Sequence, residues 1–245
     1  MEASRSRSGG YASPSILARR HRILREARKM IAKGGITTLS MDEVSRRAGV
    51  AKRTLYNAFQ SKERLIAAAI QQYFDDYASR ITYSTEEATL ERMLERLVVV
   101  ARRNLAIRNY TRALMDVYFS HEVDPDIRGA IHRIAAEAQD PLLHALARKR
   151  QLQSWVDVDM LSNNIVRLRY AIAHAWAEGL ISDEDFLREL ARGFFTYLAG
   201  ACRSATRKQI DALIQELPDH PIFTAVESGT VAESAERTLV PQPAA

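Results

Sequence analysis

A single cysteine, Cys202, occurs in 245 residues. One thiol excludes an internal disulfide and leaves no cysteine set for a structural zinc. Beside Leu198, Ala201 and Ala205 it reads as a small buried filler. No stretch of alternating β-branched residues bounded by turns occurs, so a sheet is not expected; apolar residues recur at helical spacing almost throughout. Although apolar residues make up 47% of the chain, no run is long and uncharged enough to cross a bilayer. Met1 to Gly10 lacks the apolar stretch of a secretory signal, and a cytoplasmic protein with no membrane partner is expected. Glycine-rich phosphate loops, a nucleophile elbow and a metal-spaced His/Asp/Glu set are all missing, and the six histidines are scattered. Neither an enzyme nor a bound metal or cofactor is therefore expected.

Acid is scarce at one end. Residues 1 to 64 carry 15 Lys and Arg against 5 Asp and Glu, a net +10, whereas the remaining 181 carry a net −5. A concentrated positive field attracts a polyanion, of which the nucleic-acid backbone is the commonest. A solvated basic face with no partner explains the charge equally well, so charge alone leaves both open. A non-specific architectural DNA protein would be basic throughout, which this chain is not.

The apolar spacing predicts an all-α fold. Residues 1 to 14, rich in Ser, Arg and Gly, read as a disordered basic arm, and a first helix from about Ser15 to Lys33 stops at Gly34 and Gly35. Ser40-Met41-Asp42-Glu43 has the form of a capping box, and the short helix it opens ends at Ala48-Gly49-Val50, where glycine accepts a left-handed turn. A second short helix, about Lys52 to Phe59, buries Leu55 and Phe59, and Ser61 caps a long helix through Leu65, Ile66, Ala69, Ile70, Tyr73 and Phe74. Later helices are expected near 86 to 108, behind a second capping box at Ser84-Thr85-Glu86-Glu87, and near 110 to 120. Others follow at 125 to 150 with a kink at Pro141, 157 to 178, 183 to 204 and 205 to 217. Residues 218 to 245 read as a disordered tail.

Two short helices around a glycine turn are also a common packing unit. A DNA-reading pair needs, in addition, a second helix whose outer face is rich in donors and free of acid. Here that face is Lys52, Arg53, Thr54, Tyr56 and Asn57, and no Asp or Glu occurs from Val44 to Gln60. Lysine and arginine donate to guanine or phosphate, asparagine to adenine, and hydroxyls to phosphate.

The ordered set Ile23-Leu24, Ala27, Met30-Ile31, Gly35, Ser40, Glu43-Val44, Ala48-Gly49-Val50, Thr54-Leu55-Tyr56, Phe59, Ser61-Lys62-Glu63 and Leu65 resembles the N-terminal signature of the TetR (tetracycline-repressor-like) family. The resemblance covers residues 16 to 66. It implies a three-helix helix-turn-helix DNA-binding domain over 15 to 66, followed by a helical effector-binding and dimerisation domain over 67 to 217. The function it implies is a sequence-specific, operator-binding transcriptional repressor released from double-stranded DNA by a small-molecule effector. A ligandless or partner-controlled regulator, or an activator, would share the same DNA-binding part. The resemblance assigns phosphate contacts to Ser40, Tyr56 and Lys62, and base reading to Lys52, Arg53 and Thr54. Ser45, Ala51 and Arg53 depart from the commonest family residues, so the operator cannot be borrowed from a relative. Arg5 and Arg7 could enter a minor groove, though a solvated tail explains them as well.

Operator reading by one short helix covers few base pairs, so a homodimer is expected. Its surface is assigned to the helices near 157 to 178 and 183 to 204, through Leu161, Ile165, Leu168, Ile172, Trp176, Phe186, Leu190, Phe194, Phe195, Leu198 and Cys202, with an ordinary monomeric core as the alternative account of the same residues. An effector pocket is assigned to Tyr118, Phe119, Arg167, Tyr170 and His174, the last three falling on one helical face.

Overall fold

A computed structural model describes residues 14–121 and 123–220 of the chain. Ten α-helices follow one another there: α1 (Pro14–Gly34), α2 (Met41–Ala48), α3 (Lys52–Phe59), α4 (Lys62–Ala78), α5 (Leu90–Ala106), α6 (Arg108–Phe119), α7 (Pro125–Arg148), α8 (Val158–Ala177), α9 (Asp183–Ala201) and α10 (Ser204–Glu216). A 3₁₀ turn, Leu217–Asp219, closes the series, and the one extended pairing among the described residues is an isolated bridge between Leu152 and Cys202. The expected basic arm, with Arg5 and Arg7, and most of the expected tail lie outside the described residues. No helix among the described residues is long and apolar enough to cross a membrane.

Helix α1 buries Ile23, Leu24, Ala27, Met30 and Ile31, the i, i+4, i+7 stripe of a helix with one apolar side, and the chain leaves it through Gly35 at φ +76°. Helices α2 and α4 then pack on α1, and α3 packs on α2 and α4. Helix α4 packs against both α1 and α7, so it belongs to the N-terminal cluster and to the larger bundle behind it.

Start signals held where a short side chain meets a free helix N-terminus. Ser61 accepts from the Arg64 amide, Asp124 from the Asp126 amide ahead of Pro125, Asp157 from the Met160 amide and Ser182 from the Asp185 amide, each satisfying an otherwise orphan donor. Both expected capping boxes fail. At Ser40 the hydroxyl makes no capping bond, and the Glu43 carboxylate is held by Arg46 and Arg47 instead of reaching back to the Ser40 amide. At Ser84 and Thr85 both amides and both hydroxyls donate to the Glu95 carboxylate. Helix α5 therefore begins at Leu90, capped by Thr89, and not near residue 86. Helix α7 continues through Pro141 as one element, and α9 stops at Ala201, where Cys202 turns extended.

The core of the bundle lies between α8 and α9. Trp176 stacks on Phe186 at 4.4 Å between ring centres, and Phe194 meets Phe195 edge to face at 5.1 Å; all four rings are fully buried. Burial of each such ring contributes about 2–3 kcal/mol. Leu161, Ile165, Leu190, Leu198 and Cys202 are buried as well. Most of the residues assigned to a subunit interface are therefore the chain's own core, a correction of the sequence reading. Helical spacing reports that a face is covered and not by which body. Burial also pushes the Cys202 thiol up to about 11, in keeping with an inert filler.

Candidate nucleic-acid interface and internal cavity

The turn between α2 and α3 is set by Gly49, at φ 61°, ψ 44°, a left-handed conformation that costs an L side chain free energy. Its amide bonds the Arg46 carbonyl, and the Val50 amide bonds that of Ser45. Ala51 starts α3, its carbonyl accepting from Thr54 and Leu55. Within eight residues Leu55 and Phe59 go inward, one helical turn apart, and are buried. Arg53, Tyr56 and Asn57 are left outward, with Lys52 beside them and Thr54 half-buried. Tyr56 is 44% exposed, a large ring left in water for which the fold itself offers no use.

Helix α1 braces this pair. Arg22 donates from Nε to the Ala48 carbonyl at 2.7 Å, capping α2 from outside, and the Arg20 guanidinium sits 4.6 Å from the centre of the Phe59 ring. Ser45 is buried, and its hydroxyl bonds the Asp42 carbonyl at 2.8 Å, so the serine at this position leaves no unsatisfied group. Both acids of α2 are engaged. Glu43 takes Arg46 Nη2 and Arg47 Nε, both at 2.6 Å, and these two hydrogen bonds hold its carboxyl down to about 2. Asp42 takes Lys52 Nζ at 2.6 Å, a contact that raises the lysine. Lys62, at the start of α4, reaches the Thr37 carbonyl at 3.4 Å. Ser40, Lys52, Arg53, Tyr56, Asn57 and Lys62 thus lie on or beside the α2–α3 unit, and they form a surface of donors.

Residues 23–69 match the sequence profile of the bacterial regulatory proteins, tetR family. The HTH-type transcriptional repressor KstR of Rhodococcus jostii is 33% identical over 138 residues, covering 50% of this chain and 65% of KstR. The HTH-type transcriptional activator FasR of Mycolicibacterium smegmatis is 34% identical over 83 residues, covering 34% of this chain and 38% of FasR. A crystal structure of a TetR transcriptional regulator from Rhodococcus has the same fold, with TM-score 0.56 and 22% identity over 74% of this chain and 96% of that one. Over residues 23–69 this chain is similar to the tetR family. The aligned stretches span less than two thirds of either curated relative.

Behind the helix-turn-helix, the chain encloses a cavity of about 100 Å³. It is walled by α4 through Phe74, Tyr77 and Ala78, by α5 through Arg96 and Arg103, and by α8 through Arg169 and Tyr170, with further apolar residues from α6 and α7. Of the five residues expected to form an effector pocket, only Tyr170 lines this space. Its hydroxyl donates to the Ile131 carbonyl at 2.6 Å. Tyr118 packs on Tyr170 at 4.8 Å, and its hydroxyl meets His132 Nδ1 at 2.8 Å. Phe119 stands edge-on to His174 at 5.2 Å, and Arg167 is exposed, bonded to Asn164. The structure brings Tyr118, Phe119, Tyr170 and His174 into one aromatic cluster and leaves Arg167 out.

The arginines that do line the cavity, Arg96, Arg103 and Arg169, went unmarked in the sequence. Arg169 falls four residues after Ile165 and four before Ala173, on the buried stripe of α8. That register is the signal that could have found it.

A second concavity, about 840 Å³, is an open groove across the outer faces of α8 and α9. Leu168, Ile172, Gly193, Tyr197 and Gly200 line it, with Trp155 and Met160 at one end. Trp155 is 72% and Met160 57% exposed, an apolar surface larger than scattered single residues give.

Proposed function

We propose that this chain is a sequence-specific transcriptional regulator that binds operator DNA as a homodimer, represses, and is released by a small-molecule effector. The observation that carries the reading is the outer face of α3. Arg53, Tyr56 and Asn57 stand exposed on a helix anchored by Leu55 and Phe59, with the two acids of α2, Asp42 and Glu43, paired to cations. In the major groove Arg53 reads guanine, Asn57 reads adenine, Lys52 and Thr54 complete the base-reading set, and Ser40, Tyr56 and Lys62 hold phosphates. The repressor name of KstR and the activator name of FasR leave the sign of regulation to experiment, and no catalytic step enters.

Two copies joined through the outer α8–α9 groove would form a four-helix interface from Leu168, Ile172, Gly193, Tyr197 and Gly200. Twofold pairing sets two α3 helices about 34–36 Å apart, or a modest multiple, on successive major grooves. Helix α4 supplies the coupling. Its first residue, Lys62, adjoins α3, and its last turns, Phe74 to Ala78, wall the cavity. At 1.5 Å per residue its two ends lie roughly 25 Å apart. The cavity is well below the usual 300–1,000 Å³ of a ligand site, so an effector must push its walls outward, and α4 carries that displacement to the recognition helix.

Selection of duplexes from a random library by the full chain tests the reading. A shared twofold-symmetric sequence, bound by the parent and not by Arg53→Ala with Asn57→Ala, is expected. Uniform retention of random duplexes would overturn it.

A further inference from the structure

The cavity behind α4 is cationic without a counter-charge. Arg169 is 5% exposed. Its Nη1 donates to Gln139 Oε1 at 3.3 Å, a neutral amide, and its Nε has no hydrogen-bond partner among the described residues. Arg96 Nε, also buried, is likewise unpartnered, and the two guanidinium groups are near enough to repel one another. Arg103, also buried, spends its Nε and Nη2 on the neutral Tyr73 hydroxyl. No Asp or Glu lines the cavity, and no ion pair reaches any of the three among the described residues.

The acids on neighbouring elements are committed elsewhere. Glu95 accepts four bonds from Ser84 and Thr85. Asp140 reaches Arg169 only through Ser162 and Gln139, as Ser162 donates to Asp140 at 2.8 Å and Gln139 donates to the Ser162 carbonyl and hydroxyl. Burial lowers Arg169 to about 10, which still leaves it charged at neutral pH. Folding a permanent cation into an apolar wall with a free N–H is unfavourable unless an anion completes it. A planar guanidinium matches a carboxylate with two parallel bonds. Most of the remaining wall is apolar, with Leu114, Met115, Ile131, Ile134 and Ala173 beside the polar Asn104 and Thr111, and it suits an apolar body.

We propose that the effector is an apolar monocarboxylic acid whose carboxylate is held by Arg169 and Arg96 inside the α4–α5–α8 cavity. This rests on the reading of the chain as an effector-controlled regulator. Its test uses no DNA, so that failure of either idea is visible without the other. Thermal unfolding of the full chain is followed with octanoate and benzoate, each against octanamide or benzamide at matched ionic strength. A saturable rise in Tm on the order of 5 °C is expected with at least one acid at about a hundredfold excess over its Kd. The matching amide is expected to give none.

Arg169→Met should unfold at the parent temperature or above it, since a buried unpaired charge is removed, and should lose the response to acid at least tenfold in Kd. Arg96→Met, less buried, should weaken the same response with the fold intact, and it stands as the test if Arg169→Met does not fold. Equal shifts by acid and amide, no shift with either acid, or an unchanged response in these variants would overturn the proposal.

Discussion

Lys52, the first residue of α3, is tied to Asp42 of α2, with Nζ 2.6 Å from Oδ1, although both side chains are more than half exposed. An acid placed there neutralises a cation that the proposed interface would otherwise turn toward the bases. In the proposed complex the lysine leaves Asp42 to reach the DNA. Exposed pairs of this kind are worth little in stability, at most about 1 kcal/mol, so the lysine remains available.

Asp42→Asn should therefore tighten binding to all duplexes by several-fold at low salt and steepen the dependence of log Kobs on log salt by about 1. Anisotropy titrations at two salt concentrations check this. No change in slope would mean that Lys52 does not reach the DNA.

Arg53→Ala should cost about 1–3 kcal/mol on a selected site and relax one base preference, whereas Lys62→Ala should weaken all sequences alike and reduce the salt slope by about 1. The two variants separate reading from anchoring. Equal binding by parent and variants removes α3 from the interface.

Tyr197→Glu places a charge in the outer groove, where the ring is 40% exposed. It should leave circular dichroism and Tm of the single chain nearly unchanged while halving the mass measured by light scattering and abolishing tight operator binding. Phe186→Ala, about three turns earlier on the same helix but fully buried against Trp176, should instead cost about 3–5 kcal/mol in denaturant unfolding. Together they separate the face that meets a second copy from the face that makes the core.

Glu43, depressed to about 2 by Arg46 and Arg47, stabilises the folded state at pH values above its usual 4.5, and that contribution is lost as pH falls from there toward 2. Glu43→Gln should lower Tm at neutral pH slightly and flatten the decline of Tm across that acid window. A parallel decline in parent and variant would show that the arginine contacts do not persist in solution.

The helix-turn-helix was legible because its determinants are local. Gly49 dictates the turn, Ser61 caps the next helix, and Leu55 with Phe59 fixes which face of α3 goes inward. Capping at Ser40 and Ser84 was misread because the carboxylates involved had stronger offers. Glu43 found two guanidinium groups, and Glu95 from a later turn captured Ser84 and Thr85. The dimer surface was misread because Trp176 and Phe194 look the same in sequence whether a neighbouring helix of the same chain or another subunit covers them. The cavity was missed for a related reason. Arg167 has the residue type expected of a ligand contact but faces solvent, while Arg169, two positions on, points inward.

The two tryptophans of the chain sit in opposite settings. Trp176 is sealed inside, and Trp155 stands in water at the mouth of the outer groove. Ultraviolet emission from the native protein is thus a label-free gauge of assembly: closing the groove shifts only the Trp155 component to shorter wavelength, and Trp155→Phe leaves a reporter that stays silent until the chain itself comes apart.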